Sequence, residues 1–92
     1  MKVIVRAKAA ADIEDIYSWI VEDNPRAAAR IVRRLRDRID MLGARGLAHI
    51  GRSGLVRGTR EVVEAPYIII YTVDDERELV TIIAIVHGAR KR

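Results

Sequence analysis

The hydrophobic pattern of the chain passes through three regimes. Lys2-Val3-Ile4-Val5-Arg6 is a short apolar run closed by cations at both ends and reads as a first strand. From Ala9 to Glu22 the period is helical. Ile13, Ile16, Tyr17 and Ile20 fall at i, i+3, i+4 and i+7, a stripe suited to face a sheet. Asp12, Glu14, Asp15, Ser18 and Glu22 take the wet side. Asp23-Asn24-Pro25 breaks this helix and starts another, with Asn24 as N-cap and Pro25 at the first helical position. The second helix is expected from Pro25 to Leu42, burying Ala28, Ile31, Val32, Leu35, Ile39 and Leu42, with Gly43 as its C-terminal cap. So short a connection makes the two helices an antiparallel hairpin.

After Gly58 the composition shifts to Val, Ile, Thr and Tyr in three runs, separated by Ala65-Pro66 and by Asp74 to Glu78. This predicts an antiparallel three-stranded meander with a solvated charged turn at Asp74 to Glu78. Its middle and last runs are too apolar to leave in water, and the helical hairpin is the available cover. The expected domain is α+β in the order β-α-α-β-β-β. The helical hairpin packs on one face of a mostly antiparallel four-stranded sheet, which the first strand joins. Between helix and meander, Gly43 to Val56 reads as a loop with four glycines, pinned by Leu47 and Ile50, with His49 in an anchoring role.

Ninety-two residues make one domain with a small core. The absence of cysteine removes disulfides and thiolate zinc sites, and the two histidines have no metal spacing, so neither metal nor cofactor is expected. No signal peptide and no bilayer-spanning run is visible, which makes the cytosol the expected compartment. Charge is unevenly placed. Residues 26–60 carry ten arginines against two aspartates, while the segments before and after are each net −2. Arginine suits bidentate contact with carboxylate or phosphate. A solvated face explains the helical arginines as well as function does. No i,i+4 acid explains Arg52, Arg57 and Arg60, so these are expected to serve recognition. Trp19 lies at the border of the first apolar stripe, suited either to the core or to anchoring a partner.

Gly51-Arg52-Ser53-Gly54, Gly58-Thr59-Arg60-Glu61, Tyr67 to Tyr71 and Ile85-Val86-His87-Gly88-Ala89-Arg90 follow one another behind a strand and two helices. In this order they resemble the toxin half of ParE-type toxin–antitoxin pairs, within the RelE/ParE superfamily, over almost the whole chain. The resemblance implies a type II toxin neutralised by a ParD-like antitoxin, with DNA gyrase as target and nucleic acid met through that complex. The superfamily's other branch cuts messenger RNA on the ribosome. That chemistry needs cations at the phosphate and a base–acid pair such as Glu with His or Tyr. His87 matches the C-terminal histidine of several nucleases, and Arg60 can reach a phosphate. However, the strand opening at Tyr67-Ile68 lacks the usual basic residue, and no Glu stands in the loop Gly43 to Val56. The expectation is therefore a binder rather than an enzyme, with Arg52, Arg57, Arg60, His87 and Arg90 meeting the target. Trp19, Arg30, Arg33 and Arg34 are expected to meet the antitoxin, a helix of which would lie along the helical hairpin. A plain nucleic-acid-binding module is a third reading, weakened because aromatics are only 4% and offer no stacking platform.

Overall fold

In the computed structural model, which describes residues 1–44 and 46–88, the elements are β1 (Lys2–Val5), α1 (Ala7–Val21), α2 (Pro25–Leu42), β2 (Arg52–Ser53), β3 (Arg60–Glu64), β4 (Tyr67–Asp74) and β5 (Leu79–His87). The sheet has five strands in the order β1-β5-β4-β3-β2. The expected four-stranded sheet is thus corrected by one. Arg52–Ser53 pairs antiparallel with Arg60 and Glu61, and two residues between glycines are too few to show a period. The meander β3-β4-β5 is antiparallel as expected, and β1 joins β5 in parallel, from Lys2↔Leu79 to Val5↔Ile82.

Asn24 caps α2 through its side chain, whose Oδ1 accepts from the Ala27 N–H at 3.0 Å. Pro25 follows where no backbone donor is missed. At the other end Gly43 has φ −82°, a right-handed conformation that any residue adopts. Glycine is needed there for space. A Cβ at Gly43 would lie 2.6 Å from Val3 Cγ2 and 2.9 Å from the Met1 carbonyl oxygen. This close approach seats the end of α2 on the start of β1, where the Met1 ammonium donates to the Gly43 carbonyl at 2.7 Å.

The core gathers Ile13 of α1, Leu35, Ile39 and Leu42 of α2, and Val62, Ile69, Tyr71, Val80, Ile82 and Ile85 of the sheet. Val62, Ile69 and Ile85 lie side by side across β3, β4 and β5, which accounts for their common burial. Where β1 ends, α1 takes over its edge duty. The Asp12 carboxylate accepts the Ile85 N–H at 2.9 Å, a bond spanning 73 positions of sequence. Among the described residues no helix is long and apolar enough to cross a membrane.

The loop after α2 is held differently from expectation. Leu47 is half-buried and Ile50 is exposed, whereas Ala48 and Gly51 are buried. The cause is Tyr71, fully enclosed in the core, whose phenol must find a polar partner. It accepts the Gly51 N–H at 3.0 Å. Replacing Tyr71 by Phe keeps the ring and strands that N–H. Urea denaturation should show a loss of about 1–3 kcal/mol, the cost of a buried unsatisfied donor.

Candidate functional site

The β2–β3 hairpin is where the loop arginines meet. Arg60 sits at the first position of β3, beside the loop that Tyr71 fastens. Its Nη1 donates to the carbonyls of Gly51 (2.9 Å) and His49 (3.3 Å), clamping that loop to the sheet. Arg52 on β2 directs Nη2 at Glu61 Oε1, 3.4 Å away, and its side chain is still more than half exposed. Glu61 itself is only 3% exposed. Its other oxygen accepts the Leu55 N–H at 3.3 Å, so one buried carboxylate holds both flank and tip of the hairpin. The tip closes through Gly54 N–H to Thr59 O (2.9 Å) and Thr59 N–H to Val56 O (3.0 Å). Gly58 has φ +85°, which L side chains rarely adopt. Arg57 is exposed on the tip, and among the described residues its guanidinium has no hydrogen-bond or ion-pair partner. Of the three arginines expected to serve recognition, Arg60 is occupied structurally, Arg52 is shared, and Arg57 is presented to solvent.

His87 lies at a different end of the sheet. It pairs with Tyr67 on β4, the two rings meeting edge to face with centroids 5.5 Å apart. Arg60 pairs with Tyr71, four residues further along β4 and on the opposite side of it. Strand geometry therefore separates Arg60 and His87 by about 16 Å between backbones, and the Arg60 guanidinium is turned to the Gly51 and His49 carbonyls. The groups that do neighbour His87 are Tyr67 and, one strand beyond, Glu64. Arg38 of α2 reaches Glu64 with Nε at 3.2 Å from Oε1. Carboxylate, imidazole and one guanidinium thus share this end of the sheet among the described residues. Arg90, also expected at the target surface, lies outside them, as does the basic end from Ala89 onward.

On the helical side, Trp19 is 82% exposed, which rules out the core position considered for it. Residues on a helix advance about 100° each, so Trp19 stands about 160° around α1 from Tyr17 and beyond the edge of the apolar stripe. It lies in a shallow depression with Asp15, Ser18, Glu22 and Asp23, an acidic surround. The groove between α1 and α2 is lined instead by Ile13, Glu14, Tyr17, Ser18, Val32 and Arg36. Trp19 is outside the groove in which sequence reasoning set it, and Tyr17 takes that place. Arg30, Arg33 and Arg34 are exposed on α2, without ion-pair partners among the described residues. Sequence reasoning missed Tyr17, Val32, Glu61, Arg38 and Glu64 as parts of these surfaces. It also missed Leu55 and Val56, which are 66% and 69% exposed. Only the last two left a signal, two adjacent aliphatics in a stretch otherwise rich in Gly and Arg.

Comparison with known proteins bears on these surfaces together. Residues 3–92 match the family model "ParE toxin of type II toxin-antitoxin system, parDE". The curated protein "Putative toxin Y4kP" of Sinorhizobium fredii is 36% identical over 77 residues, which cover 82% of this chain and 78% of that one. Among solved structures, one from the chromosomal ParDE system of P. aeruginosa superposes with a TM-score of 0.82 at 26% identity, over 95% of each chain. One from the RelBE2 complex of Mycobacterium tuberculosis gives 0.65 at 22%, over 97% of this chain and 92% of that one. The isolated RelE toxin of E. coli gives 0.68 at 11%, over 99% and 87% respectively. These last two share the fold.

The hairpin geometry makes a contrast that can be measured. Glu61→Ala removes the acceptor for Arg52 and Leu55 and should cost about 1–3 kcal/mol, with faster amide exchange at Leu55. Arg57→Ala should leave stability within about 0.5 kcal/mol, as expected of a surface side chain without partners.

Proposed function

Because the chain belongs to the ParE toxin family of type II toxin–antitoxin systems, we propose that it arrests DNA gyrase by binding, and that a ParD-like antitoxin neutralises it. The observation that carries this reading is that Arg60, the cation expected to serve a phosphate beside His87, is instead bound to the Gly51 and His49 carbonyls. A gyrase poison needs recognition surfaces and no bond-breaking set. The hairpin carrying Arg52 and Arg57 supplies the target contact, with His87 at the other end of the sheet extending it; Arg90, expected at the same surface, belongs to the residues outside those described. The likeness to a ParDE toxin over nearly the full chain supports the same branch.

The antitoxin is the second partner. An amphipathic helix fits the groove at Tyr17 and Val32, and an acidic stretch of the same chain is drawn to Arg30, Arg33 and Arg34. The carboxylates around Trp19 repel that acidic stretch. Trp19 therefore takes an apolar or cationic side chain of the antitoxin, outside the groove.

The other reading is a ribosome-dependent endoribonuclease of RelE type. The pair expected to carry that chemistry is His87 with Arg60. The observation that favours it now is the row Glu64, Tyr67 and His87 with Arg38 above it, which offers a base, an acid and one cation.

Supercoiling and translation assays separate the two. Added to purified gyrase, the protein should stop supercoiling and trap cleaved DNA, and added to translating ribosomes it should leave messenger RNA whole. Message cleavage that disappears in His87→Ala reverses the choice. Separately, Tyr17→Asp should weaken antitoxin binding at least about tenfold, the effect of a lost central anchor. Trp19→Ala should weaken it less, and an unchanged affinity for Trp19→Ala removes that residue from the interface.

A further inference from the structure

The turns of a sheet are ordinarily polar, because nothing packs on them. The β4–β5 turn of this protein obeys, with Asp75, Glu76, Arg77 and Glu78 in sequence. The β2–β3 tip does not. Leu55 and Val56 stand next to each other there with about two-thirds of their surface in water, between Arg52 and Arg57. They contribute little to the core. The tip is also held in one shape, by the two backbone bonds between Gly54, Val56 and Thr59 and by the Thr59 hydroxyl donating to the Val56 carbonyl at 2.6 Å. The buried Glu61 fixes the Leu55 N–H from below. The result is a convex, pre-shaped apolar point rather than a groove.

Its electrostatic setting selects the partner. From Gly43 to Arg60 the sequence holds four arginines and no acidic residue. A convex two-stranded point with aliphatic end and cationic flanks matches one chemistry in particular, the grooved polyanion whose interior is a stack of apolar bases. Strand-built readers enter DNA through either groove, and aliphatic side chains inserted from the minor groove wedge between base steps and partly unstack them. We propose that the β2–β3 hairpin is a DNA-contacting wedge. Leu55 and Val56 pack against bases at an unstacked step, and Arg52 and Arg57 take the phosphates on either side. This goes beyond recognition of gyrase, since it assigns the chain a direct contact with nucleic acid.

Fluorescence anisotropy with a short labelled DNA duplex, either intact or carrying a single-nucleotide gap, tests the proposal. The wild-type protein should bind both, with a salt-dependent affinity and a preference for the gapped duplex. Leu55→Ser with Val56→Ser should lower affinity for the gapped duplex about tenfold while leaving the salt slope unchanged. Arg57→Ala should weaken binding to both duplexes and reduce the slope by about one unit. Val56→Thr, which keeps the side-chain shape, gives the same direction in smaller measure and guards against loss of folding in the double variant. Failure to bind DNA at low salt, equal affinity for the two duplexes, or an undiminished gap preference in the double variant overturns the wedge. So does a double variant that keeps DNA affinity but no longer binds purified gyrase, because the tip then seats in a protein pocket. The assay contains no gyrase. A protein that shows the gap preference and fails to poison gyrase refutes the function proposed above and leaves the wedge standing.

Discussion

A single buried phenol sets the shape of the working end of this protein. Tyr71 lies in the middle of the core, and its hydroxyl group has no water to turn to. Pairing with the Gly51 N–H draws the loop after α2 across the sheet, and glycine is required where a Cβ would meet that hydroxyl at 2.5 Å. With the loop so placed, the carbonyls of His49 and Gly51 come within reach of Arg60, which fixes them. The chain then has only a short distance to β3, and the two residues of β2 pair with it on the way. The place of the hairpin on the sheet rests on that buried hydrogen bond together with the Arg60 clamp and the Glu61 carboxylate. A charged side chain, Glu61, finishes the arrangement because the loop it serves also hides it from water.

The charges are sorted by element rather than mixed. α1 carries carboxylates outward around Trp19, α2 carries mostly arginines outward with Asp37 and Asp40 among them, and the exposed tip of the hairpin from Arg52 to Arg60 carries only arginines. Opposed faces of this kind suit a small protein that must hold two unlike partners at different places. The groove between the helices lies at the boundary, with Glu14 and Arg36 on its rims. A partner helix lying there meets one charge of each sign, which fixes its direction as well as its position.

The helices were readable because apolar positions repeat along each at helical spacing, although Tyr17, expected in the stripe that α1 turns to the sheet, is exposed at the groove between the helices. The meander was readable because its strands are long and β-branched. β2 was not, since pairing over two residues leaves no pattern. The roles of the arginines were harder for a related reason. Arg60 is bound to backbone carbonyls, which every residue has, so no partner stands out in the sequence. Glu61 alternates with Val63 on one side of β3, and alternation alone sets it in water. The loop folding over it reverses that, and a loop without period gives no warning. For Trp19 the spacing left core and partner-anchoring positions both open, and the structure exposes it. It lies just past the stripe, where either outcome is compatible with the spacing.

The two strands at the heart of the sheet, β5 and β4, are also the last to be made. Among the described residues β1 pairs with β5 alone, and the α1 carboxylate that completes the β5 edge waits on the same strand. A ribosome delivering this chain from its amino end therefore releases both helices with their oily stripes uncovered, and no sheet to receive them. The polypeptide has no native surfaces to act through until β4 and β5 have emerged. A cell translating such a message meets the folded species only once β4 and β5 have left the ribosome.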